Sequence, residues 1–354
     1  MTPSSRARDT SVMVAVTDLE WLESLSPWPA DGFGTERMRE LLDRLGNPQR
    51  SFEAVHVVGT KGKSTAARRI ARTIGGASYT SPHVSGWHER LDTDEAGFER
   101  ALARVRAPAE ELGSTQFEVL TAAAFADFAA RGVKAAAIEA GLGGRLDATN
   151  VIDARVVLLT NVALEHTDVL GETREQIAAE KLAVAGPEAT VVLPDAEFAH
   201  LVAHPTIGSA REAVKAFLGR PVELAEAGLP GRLEIRGDEV RDGAHTPEAV
   251  DWLLARLPAA ERRDYVVVAS ILGDKDADAI LERLSRAGRV LIATTSSNAR
   301  ALPAGEVAER GRSWFDRVEA VADPHTALRR ARTLGPRVLV TGSLYLLADI
   351  SRDA

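Results

Sequence analysis

The sequence predicts an α/β protein built in two parts, and three observations carry that expectation. Short β-branched runs alternate with helical periodicity almost throughout the chain, the pattern of parallel strands covered on both faces. The 354 residues exceed the roughly 250–300 that one hydrophobic core organises. Pro221, Gly228, Pro230 and Gly231 cluster between two series of strand–helix units, which puts a boundary near 228–232 and divides the chain into 1–230 and 231–354.

In the first series, 54–58 reads as a buried strand and 64–74 as the helix after it. A short strand at 77–79 follows, then an apolar helix at 115–131 and strands at 135–139 and 156–160. A helix at 173–185 keeps Glu and Lys on its outer face and leads to a strand at 190–193. The second series opens with 232–236 and 239–241 around Gly237-Asp238, a strong hairpin signal. Helix 247–257, strand 265–270, helix 277–287, strand 289–294, helices 306–312 and 324–333 and strand 338–341 complete it. The arginines at 329, 330 and 332 read as a solvated helix face.

Composition narrows the function classes. Hydrophobic residues at 45% and charged residues at 27% exclude global disorder. Forty-three Lys and Arg against 51 Asp and Glu give −8, which argues against nucleic acid or acidic membranes as partners. No uncharged apolar run nears the roughly 18 residues of a membrane span. The polar start (1–9) and the short apolar patch at 12–16 do not make a signal peptide. With no cysteine there is no disulfide, thiolate metal site or cysteine nucleophile. A cytoplasmic protein is expected.

The chemistry concentrates at strand ends. Residues 55–65 run from a strand through Gly59-Thr60-Lys61-Gly62-Lys63 into a helix that opens with Ser64-Thr65. Glycines let backbone N–H groups approach phosphate oxygens, and the helix N-terminus adds its positive end. Lys63 would reach the terminal phosphates, with Ser64 or Thr65 near a metal. Val57 stands where the strict eight-residue motif has glycine. Gly141-Leu-Gly143-Gly144 also follows a strand, but Leu146 occupies the place of a third glycine and no helix opens, so it is no dinucleotide fingerprint. Glu139 ends an otherwise apolar strand, putting a carboxylate at the edge where phosphate-loop enzymes hold magnesium. His166 follows the next strand to the same edge, and Ser81 adds a hard oxygen ligand.

A whole series of segments resembles the dihydrofolate synthase/folylpolyglutamate synthase family of the Mur ligase superfamily. It runs Leu45-Gly-Asn-Pro-Gln-Arg50, Gly59-Thr-Lys-Gly-Lys63, Thr80-Ser-Pro-His83, His88-Glu-Arg-Leu91 and Phe117-Glu-Val-Leu-Thr-Ala-Ala-Ala-Phe125. It continues through Glu139-Ala-Gly-Leu-Gly-Gly-Arg-Leu-Asp-Ala-Thr-Asn-Val151, His166-Thr167, Leu170-Gly171 and Glu180-Lys181. Pro230-Gly-Arg-Leu-Glu234, Asp242-Gly-Ala-His245, Asp274-Lys-Asp276 and Thr341-Gly-Ser-Leu-Tyr345 close it. The likeness covers about residue 17 to the end, and the run from Glu139 is its most specific part.

The resemblance implies a phosphate-loop ATPase domain with a mostly parallel sheet, which also binds folate, and a smaller Rossmann-like C-terminal Mur-ligase domain. It implies ATP, magnesium, L-glutamate and a pteroate or folate as the small molecules bound; a monomer is expected. Thr60 to Lys63 match the ATP loop; Ser81, Glu139 and His166 match magnesium ligands; Lys181 matches a lysine carried as a carbamate. Arg232 and Asp242 match ATP contacts. Thr115, Gln116, Phe117 and Glu118, with Leu146, Asp147 and Ala148, match contacts to the pteroate substrate. His245 is a candidate to deprotonate the incoming amine, beside an equal structural reading. The chain departs from the family in having Glu165 for aspartate before the histidine and Thr246 for asparagine after Asp-Gly-Ala-His. An ATP-contacting asparagine near Ser209 is not identifiable, and the stretches after Leu91 and between Lys181 and Pro230 are short. Two other readings stay open: a superfamily ligase acting on a non-folate carboxylate, and a nucleotide-binding relative without catalysis.

Overall fold

Alternating side chains explain why both sheets are covered twice. The computed structural model describes residues 16–30, 32–84, 86–257 and 263–351, so the segment 1–9 and nearly all of the patch 12–16 lie outside the described residues. After α1 (Asp18–Ser24) and α2 (Glu36–Arg44), the first half runs β1 (Glu53–Val58), α3 (Lys63–Ile74), β2 (Ala77–Tyr79), α4 (Glu95–Leu112), α5 (Gln116–Arg131) and β3 (Ala135–Glu139). It goes on through β4 (Ala154–Leu159), α6 (Thr167–Leu170), α7 (Arg174–Leu182), β5 (Thr190–Leu193), β6 (Pro205–Ile207) and α8 (Ala210–Leu218). The six strands lie in the order β2-β3-β1-β4-β5-β6, all parallel. Val55 and Val57 face one core with Ala67, Ile70, Val214 and Phe217, while Ala54 and Val58 face the other with Phe125 and Phe128. Each buried aliphatic side chain contributes about 1.5–3 kcal/mol, so a strand apolar on both faces is fixed in place.

The second half runs β7 (Glu234–Arg236), β8 (Glu239–Arg241), α9 (Pro247–Arg256), β9 (Arg263–Ala269), α10 (Ala277–Leu284) and β10 (Gly288–Ala293). Then come α11 (Ala304–Gly311), β11 (Arg317–Ala320), α12 (Pro324–Leu334), β12 (Arg337–Thr341) and α13 (Leu344–Asp349). Its order is β11-β10-β9-β12-β8-β7, parallel except for the β7–β8 hairpin at Gly237. The expected strand from 232 begins two residues later, because Gly231 and Leu233 hold left-handed backbone and turn the chain first. Arg330 and Arg332 are not simply solvated: they pair with Glu319 and the buried Glu239. No helix among the described residues is long and apolar enough to cross a membrane.

What positions the site is the order of the first sheet. The chain leaves β1 for one side and returns to the other at β4. The crevice outside the carboxyl ends of β3, β1 and β4 is therefore the place where such sheets bind ligands.

Candidate active site

The phosphate loop begins where β1 ends. Gly59 sits at φ +140, and a Cβ there would run into the Thr160 hydroxyl, so glycine alone fits. Gly62, at φ +81, directly precedes α3, whose first N–H groups lack helical partners. Lys63 Nζ donates to the Gly59 carbonyl at 3.1 Å, and Thr65 is exposed on the first turn of α3. The loop is braced from the end of β4. Thr60 N donates to Asn161 O (3.1 Å), Lys61 N to Asn161 Oδ1 (2.9 Å), and Asn161 Nδ2 back to Lys61 O (3.1 Å). Thr160 Oγ1 donates to Lys61 O at 2.8 Å, and Ala163 N donates to Thr60 Oγ1 at 3.1 Å. Sequence reasoning passed over Thr160 and Asn161, because neither residue type is diagnostic of such a brace.

Glu139 ends β3 opposite Val57 and is 2% exposed. Its Oε1 accepts from Ser64 Oγ at 3.1 Å and its Oε2 from Ser81 N at 2.9 Å. Ser64 Oγ also lies 3.4 Å from the Ser81 carbonyl oxygen. Burial pushes the Glu139 carboxyl above the usual carboxylate range, opposed by the charge of Lys63, these hydrogen bonds and the charge of Arg232. A buried carboxylate, a hydroxyl and a carbonyl oxygen within reach of one another are the hard donor set that magnesium takes, so these residues fit the expected ion. The fit is partial in membership. Ser81 meets Glu139 through its backbone, and His166 is exposed, at φ +47 before α6, with no hydrogen bond to either. Among the described residues, no three His, Asp or Glu side chains stand together as a metal cluster.

Lys181, on α7, is 2% exposed. Its Nζ donates to the same Gly59 carbonyl that Lys63 uses, at 3.0 Å, and lies 3.4 Å from Glu165 Oε1. Burial pushes this amine's pKa down, the like charge of Lys63 adds to that, and Glu165 opposes it. Glu180, its sequence neighbour, pairs outward with Arg145 instead. The glycine run explains the close seat of α7: a Cβ on Gly144 would lie 2.5 Å from the Lys181 carbonyl oxygen.

The residues matched to the pteroate substrate spend most of their polar atoms on the fold. Thr115 caps α5 in a capping box, with Glu118 Oε2 accepting from Thr115 N and Oγ1 at 2.8 Å each. Glu118 also accepts from Arg37 Nε at 2.9 Å. Gln116 ties to the α1 segment through Leu22 O and Ser26 O, and Phe117 packs on Gly141 with its ring 6.1 Å from Tyr79. Asp147 is buried and accepts from Leu142 N, Thr149 N and Thr149 Oγ1, while Ala148 is buried beside it. Leu146 alone of that trio turns outward, at 46% exposed. Thr149 Oγ1 is in turn 2.9 Å from Nε2 of the fully buried His56, a polar link that no motif announced.

From the second half, Asp242 is a clasp whose Oδ2 accepts from Leu233 N (2.7 Å) and Oδ1 from Ala244 N (2.8 Å). His245 Nδ1 lies 2.7 Å from the Gly243 carbonyl oxygen. A carbonyl only accepts, so Nδ1 carries the hydrogen and Nε2 keeps its lone pair. Burial lowers the His245 pKa, and the charges of Lys275, Arg232 and Lys61 lower it further. The arrangement can hold a polyphosphate on one side and accept a proton on the other.

Comparison with known proteins agrees with this geometry. Residues 231–344 match the Mur ligase glutamate ligase domain family. The chain is 30% identical to the folylpolyglutamate synthase of Lacticaseibacillus casei, with 89% of this chain and 92% of that protein aligned. That alignment is 404 positions long, so the relative carries segments that this chain lacks. Folylpolyglutamate synthase of Mycobacterium tuberculosis, complexed with ADP, matches with a TM-score of 0.81 at 26% identity, over 95% of this chain and 96% of that one. The bifunctional folylpolyglutamate synthase/dihydrofolate synthase of Yersinia pestis, complexed with AMPPNP and a manganese ion, matches at 0.77 and 27% identity, over 94% and 96%.

Proposed function

The chain belongs to the folylpolyglutamate synthase/dihydrofolate synthase family, and from that premise we propose how its residues join L-glutamate to a folate-type carboxylate at the expense of ATP. The observation that carries the reading is the convergence of Lys63, Lys181 and the Glu139–Ser64–Ser81 oxygens on one braced phosphate loop. The acceptor is dihydropteroate, a folylpolyglutamate or both. A carboxylate oxygen of the acceptor attacks the γ-phosphorus as the bond to ADP breaks, leaving an acyl phosphate. The glutamate amine then attacks the acyl carbon, phosphate departs, and the amine's proton passes to Nε2 of His245.

Like charges meet in the first step, so Lys63 and Arg232 serve to neutralise them. Magnesium would be held by Glu139 with Ser64 and Ser81, His166 completing the set, and would supply further positive charge at the phosphate oxygens. The depressed pKa of Lys181 supports a carbamate there, since only a neutral amine takes up carbon dioxide. That carbamate would replace a buried cation by an anion beside the metal site. Leu146 and Phe117 are the residues best placed to touch the acceptor. Thr115, Gln116, Glu118, Asp147 and Ala148 hold those two in position.

The test is dependence on both substrates. Phosphate release from ATP should rise strongly only when pteroate or folate and L-glutamate are present together, with a glutamylated product seen by mass spectrometry. Vigorous hydrolysis indifferent to both would make the protein a plain ATPase.

A further inference from the structure

We propose that Asn161 is a positioning residue for the nucleotide: its side-chain amide locks the Lys61 peptide unit and so presets the phosphate loop. The proposal rests on the ligase reading above and adds a residue to it. Asn161 is exposed, so packing does not explain it, yet both ends of its amide are engaged by a single residue's backbone. Lys61 N–H donates to Oδ1 at 2.9 Å, and Nδ2 donates to the Lys61 carbonyl at 3.1 Å. Its own carbonyl accepts from Thr60 N at 3.1 Å, and Thr160 Oγ1 adds a second donor to Lys61 O at 2.8 Å.

The place of this lock in the loop gives it meaning. Thr60-Lys61 lies between Gly59 at φ +140 and Gly62 at φ +81. Two glycines in left-handed backbone make that peptide the softest part of the loop, since glycine resists rotation least. The N–H groups that follow, at the start of α3, aim at phosphate only if the Lys61 unit stays still. Exposed hydrogen bonds of this kind add little to folding. Ordering a loop on binding, by contrast, is subtracted wholly from affinity, so a lock that does the ordering beforehand acts on nucleotide binding. Asparagine suits the task because one planar group carries both the donor and the acceptor that a backbone unit needs.

The experiment compares wild type, Asn161→Ala, Asn161→Asp and Lys63→Ala by ADP titration calorimetry, by steady-state kinetics and by melting without nucleotide. Asn161→Ala should weaken ADP binding and raise KM for ATP by about tenfold, the scale of one or two lost hydrogen bonds. Its kcat at saturating ATP, KM for glutamate and melting temperature should change far less. Asn161→Asp keeps the acceptor for Lys61 N–H but loses the donor and adds a charge beside the phosphates. It should bind ADP more weakly still, with the deficit shrinking as salt rises. Unchanged ADP affinity in Asn161→Ala would overturn the proposal, and so would a drop in melting temperature with every KM raised alike. A wild type that binds ADP no better than Lys63→Ala would instead overturn the ligase reading on which the lock depends.

Discussion

At Glu139, burial and charge pull against each other. Desolvation favours the protonated acid, and Lys63, the hydrogen bonds from Ser81 and Ser64, and Arg232 favour the anion. Positive charge brought to this place favours the anion, so Glu139→Gln, which keeps shape and removes that charge, should lower turnover at least ~100-fold. Near-normal turnover at saturating magnesium would reduce Glu139 to a strand end. This residue was legible in the sequence because a carboxylate closing an apolar strand is conspicuous. His56 was not, since a histidine within an apolar strand gives no sign of the Thr149 hydroxyl, 93 positions later, that partners it. Its Nε2 meets Thr149 and its pKa is pushed down to about 3 by burial. In the unfolded chain it titrates near 6.5. Below that pH the unfolded state gains a proton that the folded state refuses. Its contribution to stability is therefore full above pH 6.5 and declines by about 1.4 kcal/mol per pH unit until the folded pKa is reached. Glu139 and Asp147, pushed up by burial, act in the opposite sense by taking protons earlier when folded. Urea titrations of wild type and His56→Gln should isolate the histidine, the variant losing stability less steeply between pH 6.5 and about 3. Parallel curves would mean that His56 titrates as an ordinary imidazole.

At the scale of elements, most strands and the helices bounded by glycine turns were readable, although α2 and α8 are as amphipathic as α3 and were passed over. β1, α3, α5, β3 and β5 lie within a residue of expectation, because apolar period and glycine turns agree there. α1, α2, α4, α6, α8, α13, β6 and β11 do not follow from the sequence reading. α4 carries Pro108 in its interior, which reads as a break, and β6 and β11 are short edge strands with few buried residues. The start of α5 shows that residues matched to a substrate can also carry a signal for the fold. Thr115-Gln-Phe-Glu118 is a capping box, so Thr115→Ala should cost about 1 kcal/mol of stability, the usual worth of such a cap. Any rise in KM for the folate acceptor should be small beside that loss. If KM rises tenfold while denaturant stability holds, Thr115 touches the acceptor directly and the cap is secondary.

Across the whole molecule, one short loop joins the two sheets. Ser81 N–H holds Glu139 of the first sheet, and three residues later Val84 is buried in a core with Val266, Val268, Leu346 and Leu347 of the second half. Gly231, beside the boundary we propose at 230/231, lets this contact close, since a Cβ there would lie 2.5 Å from Leu347 Cδ1 and 3.2 Å from Val84 Cγ1. Glu89 fixes the loop by accepting from Val84 N at 2.9 Å and Gly86 N at 3.2 Å. The sequence could not reveal this, because Val84 follows a motif of the first half and packs with residues some 180 to 260 positions later. The consequence concerns water. In the reaction proposed above, the acyl phosphate would be kept from water by the halves staying together around it. Val84→Ala leaves a cavity at their contact, at a cost of about 2 kcal/mol in stability by analogy with other aliphatic truncations. It also frees the Ser81 loop to move apart from the second half. We expect the variant to release more phosphate than the glutamyl amide it forms, while wild type keeps the two near parity. Measuring both products in one reaction separates this from simple weakening. A variant that melts earlier yet stays at parity would make Val84 a filler of the second core, with no part in holding the halves closed.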